Sequence, residues 1–331
     1  MKEEFKAFVI DRDESTKEQS QGWKTVSTDD LMDGDVTVRV RHTTMNYKDA
    51  LAITGKSPVV RRFPMVPGID LAGEVVASES DRFQPGQNII LNGWGVGETH
   101  WGGYAEYARL KSDWLLHQPE GLSGADCMAV GTAGYTAALC VLRLQDLGVK
   151  PEDGKVLVTG ASGGVGSFAI SFLAQLGYTV AASTGRMEEE PYLKTLGASE
   201  IVDRGTLSGK GRPLDKETFA AAVDSVGSQT LANVLSKIAY GGTVAACGLA
   251  QGVDLPSTVM PFILRGVTLA GVDSVMAPLE TREPAWSMIS KTLDRDALAQ
   301  ITQSAALEDI EDLASQLLEG KIRGRLLIDV D

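Results

Sequence analysis

The sequence predicts a two-domain α/β protein, in which a β-rich first domain precedes a doubly wound parallel-sheet domain. Three observations carry this expectation. The chain has 331 residues, which suits two domains at roughly 100–200 residues each. Its first third reads as short strands between turn signals. From Lys155 onward strand-like and helix-like runs alternate, and the first of these strands enters a glycine-rich turn.

Composition bounds the function. Hydrophobic residues make up 43% and charged residues 23%, as in ordinary globular proteins. A chain of this size buries about three quarters of the surface its unfolded form exposes, so it needs no disulfide or metal staple. The net charge is −13, which argues against a nucleic-acid partner, because phosphate binding needs a basic face. Cys127, Cys140 and Cys247 are scattered without CxxC spacing, which suits a reducing cytoplasm rather than a disulfide framework. The opening MKEEFKAFVIDRDES carries charge where a signal peptide needs an apolar core. No stretch reaches the ~20 uninterrupted apolar residues of a membrane helix. A cytoplasmic protein with no membrane partner is expected.

In the first domain, residues 5–11, 35–42, 69–77, 88–92 and 102–110 show β-type runs, and Asp33-Gly34, Pro67-Gly68 and Pro85-Gly86 supply turns between them. This spacing predicts a partly open barrel. Residues 125–144 predict a helix broken at Gly131 and Gly134. Strands follow at 155–159, 179–183, 200–203, 219–226, 243–248 and 267–272, with helices at 165–176, 191–196 and 229–239. Such alternation implies a parallel sheet with helices on both faces. Leu307, Ile310, Leu313, Leu317 and Leu318 recur at helical spacing. Residues 325–330 form a terminal strand that returns to the first domain. The expected domains are 1–122 with 276–331, and 123–275.

The most informative stretch is VLVTGASGGVGSFAI at 156–170. Small residues at Ala161, Gly163 and Gly166 allow a tight turn, and backbone N–H groups at the start of the next helix then face a pyrophosphate. Ser162, Gly163, Gly164 and Val165 are the expected contacts. At the end of the second strand an NAD site carries Asp or Glu for the ribose 2′-hydroxyl. Here the residues are Ser183, Thr184, Gly185 and Arg186, with no carboxylate before Glu188. Hydroxyls and a guanidinium suit a 2′-phosphate, so the expected cofactor is NADPH. Arg204 either closes the same pocket or lies on the surface. Ser225, Cys247, Gly248, Leu249, Asp273 and Ser274 fall at strand carboxyl ends, where ligands sit in such sheets. Thr132 and Thr136 are expected near the nicotinamide. Cys247 reads as a small filler rather than a nucleophile, having no base beside it in sequence.

At this point the pattern resembles a known family. The domain order, with GGYAEY at 102–107, GTAGYTAAL at 131–139 and ASGGVG at 161–166, resembles the quinone-reductase branch of the medium-chain dehydrogenase/reductases. NYKDALAITGK at 46–56 and FPMVPGIDLAGEV at 63–75 are similar to the NADPH-dependent acrylyl-CoA reductases, which reduce acryloyl-CoA to propionyl-CoA. The resemblance implies a GroES-like catalytic domain and a Rossmann-type domain. It also implies no zinc. Asn46 stands where the zinc enzymes carry a metal-binding cysteine, Gly68-Ile69-Asp70 replaces Gly-His-Glu, and the cysteine-rich lobe is missing from 92–101. His42, His100 and His117 share no ligand spacing.

The resemblance further implies that Asn46, Tyr47, Lys48 and Asp49 line the reaction site. Tyr47 donates a hydrogen bond or proton or simply packs there. Lys48 stabilises an enolate with Asp49 orienting it, or the two form an exposed pair. An acyl-CoA thioester brings phosphates, for which Arg61, Arg62 and Arg323 are candidate contacts and Arg325 a candidate cofactor contact. Solvated basic turns are the alternative. An NADPH:quinone or alkenal reductase, or an NADPH-binding protein without turnover, remains open on the same scaffold. A homodimer is expected if strand 267–272 lies at a sheet edge.

Overall fold

The structure, a computed structural model, describes residues 2–330. Two compact units emerge: Met1–Thr132, Val275–Glu283 and Thr302–Asp331 form one, and Ala133–Ser274 with Pro284–Ile301 the other.

The first unit begins with the antiparallel pair β1 (Glu4–Arg12) and β2 (Gln19–Ser27). Then come β3 (Val36–Met45), α1 (Tyr47–Thr54), β4 (Asp70–Ser78), β5 (Asn88–Asn92), β6 (Tyr107–Leu110) and β7 (Leu116–His117). In β3, Val36, Val38 and Val40 are buried while Arg39 and Arg41 are not, the period-2 pattern of a half-buried strand. Its last residues, Thr43, Thr44 and Met45, are buried without alternation and lead into the site described below.

Helix α2 (Gly124–Asp146) follows, and its backbone breaks at Gly131, where φ is +51°. Gly134, expected to break it as well, lies within the regular part. By length and composition α2 is apolar enough to cross a membrane, and 83% of its apolar window is buried inside the protein. The division between the units falls just beyond the Gly131 kink rather than near residue 122.

The second unit contains β8 (Lys155–Val158), α3 (Gly164–Gln175), β9 (Thr179–Thr184), α4 (Glu190–Thr195), β10 (Ala198–Asp203), α5 (Gly205–Ser208), β11 (Phe219–Asp224), α6 (Ser228–Lys237), β12 (Ile238–Ala246), α7 (Met260–Arg265) and β13 (Thr268–Gly271). The six strands are parallel in the order β10-β9-β8-β11-β12-β13. Strand order reverses beside β8, which opens a crevice at the carboxyl ends of β8 and β11. Leu157, Ala181, Ala222, Val234 and Val244 are in the core beneath it.

Two helices absent from the sequence expectation follow, α8 (Leu279–Thr292) and α9 (Arg295–Ile301). Pro284 and the residues after it group with the second unit, so the return to the first unit begins later than residue 276 as a continuous segment. That return comprises β14 (Thr302–Ala306), α10 (Ile310–Leu318) and β15 (Arg325–Asp329). The first unit's large sheet runs β14-β15-β3-β4-β5-β7, with β6 also on β3.

Three further differences have local causes. The polar run QSQGWKTVS forms β2 because β1 offers it an unpaired edge. Residues 102–106 are not a strand: a side chain at Gly102 would stand 2.2 Å from the Gly68 carbonyl oxygen, so this segment packs as a close-approach loop. Tyr47–Thr54 is helical, started by the Asn46–Asp49 turn and ended by Gly55 with φ +64°.

Candidate active site

The strand-to-helix turn after β8 has the geometry of a pyrophosphate cradle. Gly160 takes φ +60°, and a Cβ there would lie 2.6 Å from Ser225 Oγ. At Gly166 a Cβ would lie 2.3 Å from the Gly160 carbonyl oxygen and 2.7 Å from Ala161 Cα, so only glycine lets α3 start this close to the strand. Gly163 caps α3, and its carbonyl accepts from Ser167 N–H at 2.9 Å. The N–H groups of Gly164, Val165 and Gly166 precede that first bond and form the positive end of the helix.

At the end of β9 the polar residues expected for a 2′-phosphate come together. Ser183 and Thr184 are buried. Arg186 Nη2 donates to Ser162 Oγ at 3.0 Å and to the Ser162 carbonyl at 3.2 Å, and Ser162 Oγ lies 3.3 Å from Thr184 Oγ1. Arg204 joins them: a Cβ at Gly185 would stand 2.6 Å from its guanidinium carbon, so the guanidinium lies flat on the glycine. Two guanidinium groups and three hydroxyls around one turn, with no carboxylate among them, fit a phosphorylated ribose.

The remaining strand ends hold one another. Asp224 is buried and accepts from Thr159 Oγ1 at 2.7 Å and Gly227 N–H at 2.8 Å; burial raises its pKa. Ser225 Oγ donates to the Thr159 carbonyl, and Gly248 packs on the Ser225 backbone. Cys247 Sγ donates to the Asp224 carbonyl at 3.4 Å. A hydrogen bond with Cys247, and burial, push the Cys140 thiol pKa up. Leu249 and Asp273 are exposed, Thr136 is buried, and Ser274 is half-buried.

In the first unit the Asn46–Asp49 segment is arranged differently from the expectation. Asp49 does not orient Lys48. It is buried at the start of α1, where its carboxylate accepts from Asn46 N–H at 2.8 Å and Ile69 N–H at 3.0 Å. Burial raises its pKa to about 7, the charge on Asp70 pushing the same way. Lys48 instead pairs with Glu98 at 2.8 Å. Tyr47 is 55% exposed.

Sequence reasoning missed the centre of this site, which is Asp70. Its Oδ2 accepts from Asn46 Nδ2 at 2.8 Å and Thr132 N–H at 2.7 Å; its Oδ1 accepts from Asn92 Nδ2 at 2.8 Å and from the Thr132 hydroxyl. Arg325, 4% exposed, closes the ring from the far side. It donates to Asn46 Oδ1 at 3.1 Å, Thr44 Oγ1 at 2.7 Å and the Ala129 carbonyl at 3.3 Å. Tyr104 O–H donates to the Thr44 carbonyl, and burial raises its pKa well above the usual phenol. Thr132 and Arg325, expected at the cofactor, therefore direct their polar groups into this network. The available signal was Asp70 itself, a carboxylate between Ile69 and Leu71 that must find partners when buried. Arg61 and Arg62 are exposed and Arg323 is half-buried. Among the described residues no group of three or more His, Cys, Asp or Glu is placed to hold a metal ion.

Known proteins extend this description. The Alcohol dehydrogenase GroES-like domain family matches residues 32–120, and the Zinc-binding dehydrogenase family matches 164–291. The chain is 49% identical to Acrylyl-CoA reductase AcuI of Ruegeria pomeroyi, over 99% of each protein. It is 51% identical to Probable acrylyl-CoA reductase AcuI of Escherichia coli, over 93% of this chain and 95% of that one. The yhdH oxidoreductase of Salmonella enterica, solved in complex with NADP, superposes with a TM-score of 0.96 at 49% identity, covering 98% of this chain and all of that one. A GroES-like domain and a Rossmann-type NADPH-binding domain thus make up an oxidoreductase, and the chain belongs to the zinc-independent medium-chain dehydrogenase/reductases, in the group that includes the acrylyl-CoA reductases.

Proposed function

We propose that this protein uses NADPH to reduce the C=C bond of acryloyl-CoA, giving propionyl-CoA. The observation that carries this is the match at about half identity, along nearly the whole chain, to two acrylyl-CoA reductases. In balance, acryloyl-CoA, NADPH and one proton give propionyl-CoA and NADP⁺.

NADPH, when bound, would supply the hydride for the β-carbon. The chain's own residues then hold what develops on the substrate. Negative charge builds on the thioester oxygen as an enolate, and preorganised N–H donors aimed at such an oxygen contribute about 2.7–4 kcal/mol each. Asn46, whose amide is locked by Asp70 and Arg325, is the proposed donor. Tyr47, exposed at the start of α1, is the proposed source of the α-carbon proton, and Lys48 adds positive charge beside it. Gly163–Val165 hold the pyrophosphate, and Ser183, Thr184, Arg186 and Arg204 hold the 2′-phosphate. Arg61, Arg62 and Arg323 are proposed contacts for the phosphates of CoA.

A homodimer is also proposed. β13 ends its sheet, with β12 its only strand neighbour among the described residues. Val259, Ile263 and Leu264, in and just before α7, are exposed. A two-fold partner covers both features; Ile263→Asp should shift the protein to a monomer in size-exclusion chromatography. With none of its cysteines in a disulfide, a reducing cytoplasm suits it.

The reaction is tested by following NADPH oxidation with acryloyl-CoA, crotonyl-CoA and a simple quinone. Fast turnover with acryloyl-CoA is expected. Turnover with the quinone and none with either CoA ester would replace this reading with a quinone reductase.

A further inference from the structure

The crevice of the parallel sheet opens between the turns that follow β8 and β11. Thr159 N–H to the Val223 carbonyl, at 3.0 Å, closes the backbone ladder between those strands. Beyond it side chains make the connection, and Asp224 is their centre. Its Oδ1 accepts from the Thr159 hydroxyl at 2.7 Å, on the β8 side. Its Oδ2 accepts from Gly227 N–H at 2.8 Å, on the β11 side, and Val226 N–H also reaches the carboxylate. The Thr159 hydroxyl in turn accepts from Ser225 N–H at 3.2 Å, which directs its single proton to Asp224.

Each turn is also braced away from the crevice. Ala161 N–H donates to the Ser183 carbonyl at 3.1 Å and ties the first turn to β9. Cys247 N–H donates to the Asp224 carbonyl and Gln251 N–H to the Val226 carbonyl, both at 2.8 Å, and these hold the second turn against the chain after β12. The span between the turns therefore depends on the contacts of Thr159 with Asp224 and Ser225. Asp224 is fully buried, and a carboxylate offers a phosphate only acceptors and a like charge. It acts on the crevice and is not itself a contact for the pyrophosphate.

We propose that Asp224 is a positioning residue that ties the two lips of the crevice together, Oδ1 to the phosphate-binding turn and Oδ2 to the turn after β11, and so sets the affinity of the unit for its dinucleotide. The inference rests on the NADPH reading of this unit and deepens it; it does not depend on the acyl acceptor. A turn fixed before the cofactor arrives loses less freedom when the cofactor binds.

The test titrates the full-length protein with NADPH and with NADH, following nicotinamide fluorescence, and checks the fold of each variant by circular dichroism. Asp224→Ala removes both ties and should raise Kd about 10-fold, the worth of one to two hydrogen bonds. The factor should be the same for NADPH and NADH, with kcat at saturating cofactor and KM for acryloyl-CoA within a few-fold. Thr159→Val should weaken binding in the same way, Thr159→Ser should restore it, and Asp224→Ala with Thr159→Val should lose no more than Asp224→Ala alone. Unchanged Kd in a folded Asp224→Ala protein would overturn the proposal. So would a loss confined to NADPH, which belongs to the 2′-phosphate pocket. Should Asp224→Ala fold poorly, the two Thr159 variants decide: equal affinity in Thr159→Val and Thr159→Ser would show that the hydroxyl tie has no part in binding and would overturn the proposal. A wild-type protein that binds neither cofactor would instead defeat the NADPH reading, so the two failures are distinguishable.

Discussion

Lys48 reaches Glu98 at 2.8 Å while its chain neighbour Asp49 turns into the core to bind Asn46 N–H and Ile69 N–H. The two charges adjacent in sequence thus serve different ends, one at the rim and one as a buried cap for α1.

The Lys48–Glu98 pair is partly exposed, at 33% and 12%, so solvent screening limits its worth. Lys48→Met should change unfolding free energy by less than about 1 kcal/mol. Its kcat should fall less than that of Asn46→Ala. Steady-state kinetics and denaturant titration read both quantities, and a larger kcat loss at Lys48 would move the main enolate contact from Asn46 to Lys48.

Asp49 should give the protein an unusual pH signature. Its folded pKa, about 7, lies above its ordinary value of 3.8, so the native state holds this proton more tightly than the unfolded chain does. That contribution is fully present below the unfolded value, declines as pH rises between roughly 4 and 7, and is flat above. Other carboxylates superimpose their own trends, so the informative quantity is the difference between wild type and Asp49→Asn. The stability advantage of wild type over Asp49→Asn should shrink by up to about 1.4 kcal/mol per pH unit across that window. A difference independent of pH would show that Asp49 titrates normally.

Gly131 has no room for a side chain. A Cβ would lie 2.4 Å from Arg325 Nη2 and 3.0 Å from Asp70 Oδ2, and φ is +51°. Gly131→Ala should cost about 1–3 kcal/mol of stability. It should also lower kcat, because both neighbours belong to the network around Asn46. Wild-type activity together with wild-type stability in this variant would count against the geometry around Arg325.

Arg186 carries the cofactor prediction. Its contacts to Ser162 place the guanidinium at the end of β9, and a charged hydrogen bond there is worth about 1.5–3 kcal/mol. Arg186→Ala should therefore raise KM for NADPH roughly 10–100-fold and leave KM for NADH nearly unchanged. Equal effects on the two cofactors would remove Arg186 from the 2′-phosphate pocket.

The nucleotide-binding unit was the most legible part of the chain. Its signals are local: VLV before the turn, glycines at 160, 163, 164 and 166, and apolar residues resuming in α3. Elements held by distant partners were not legible. β14, TQSAA, has no apolar rhythm and exists because β15 pairs with it. α8 carries Pro284 inside it, which reads as a breaker. The Asp70 network joins residues 22, 24 and 62 positions apart. Local pattern marks Asp70 as in need of partners without saying which they are.

The central claim is that hydride reaches the β-carbon of an enoyl thioester while the α-carbon takes its proton from solvent-exchangeable groups. The most direct test uses NADPH deuterated at the transferred position, with acryloyl-CoA in ordinary water, and locates deuterium in the product by NMR. The account predicts one deuterium at the β-carbon of propionyl-CoA and none at the α-carbon, with the labels reversed when the solvent rather than the cofactor is deuterated. Deuterium from NADPH at the α-carbon, or its absence from the product, would contradict it.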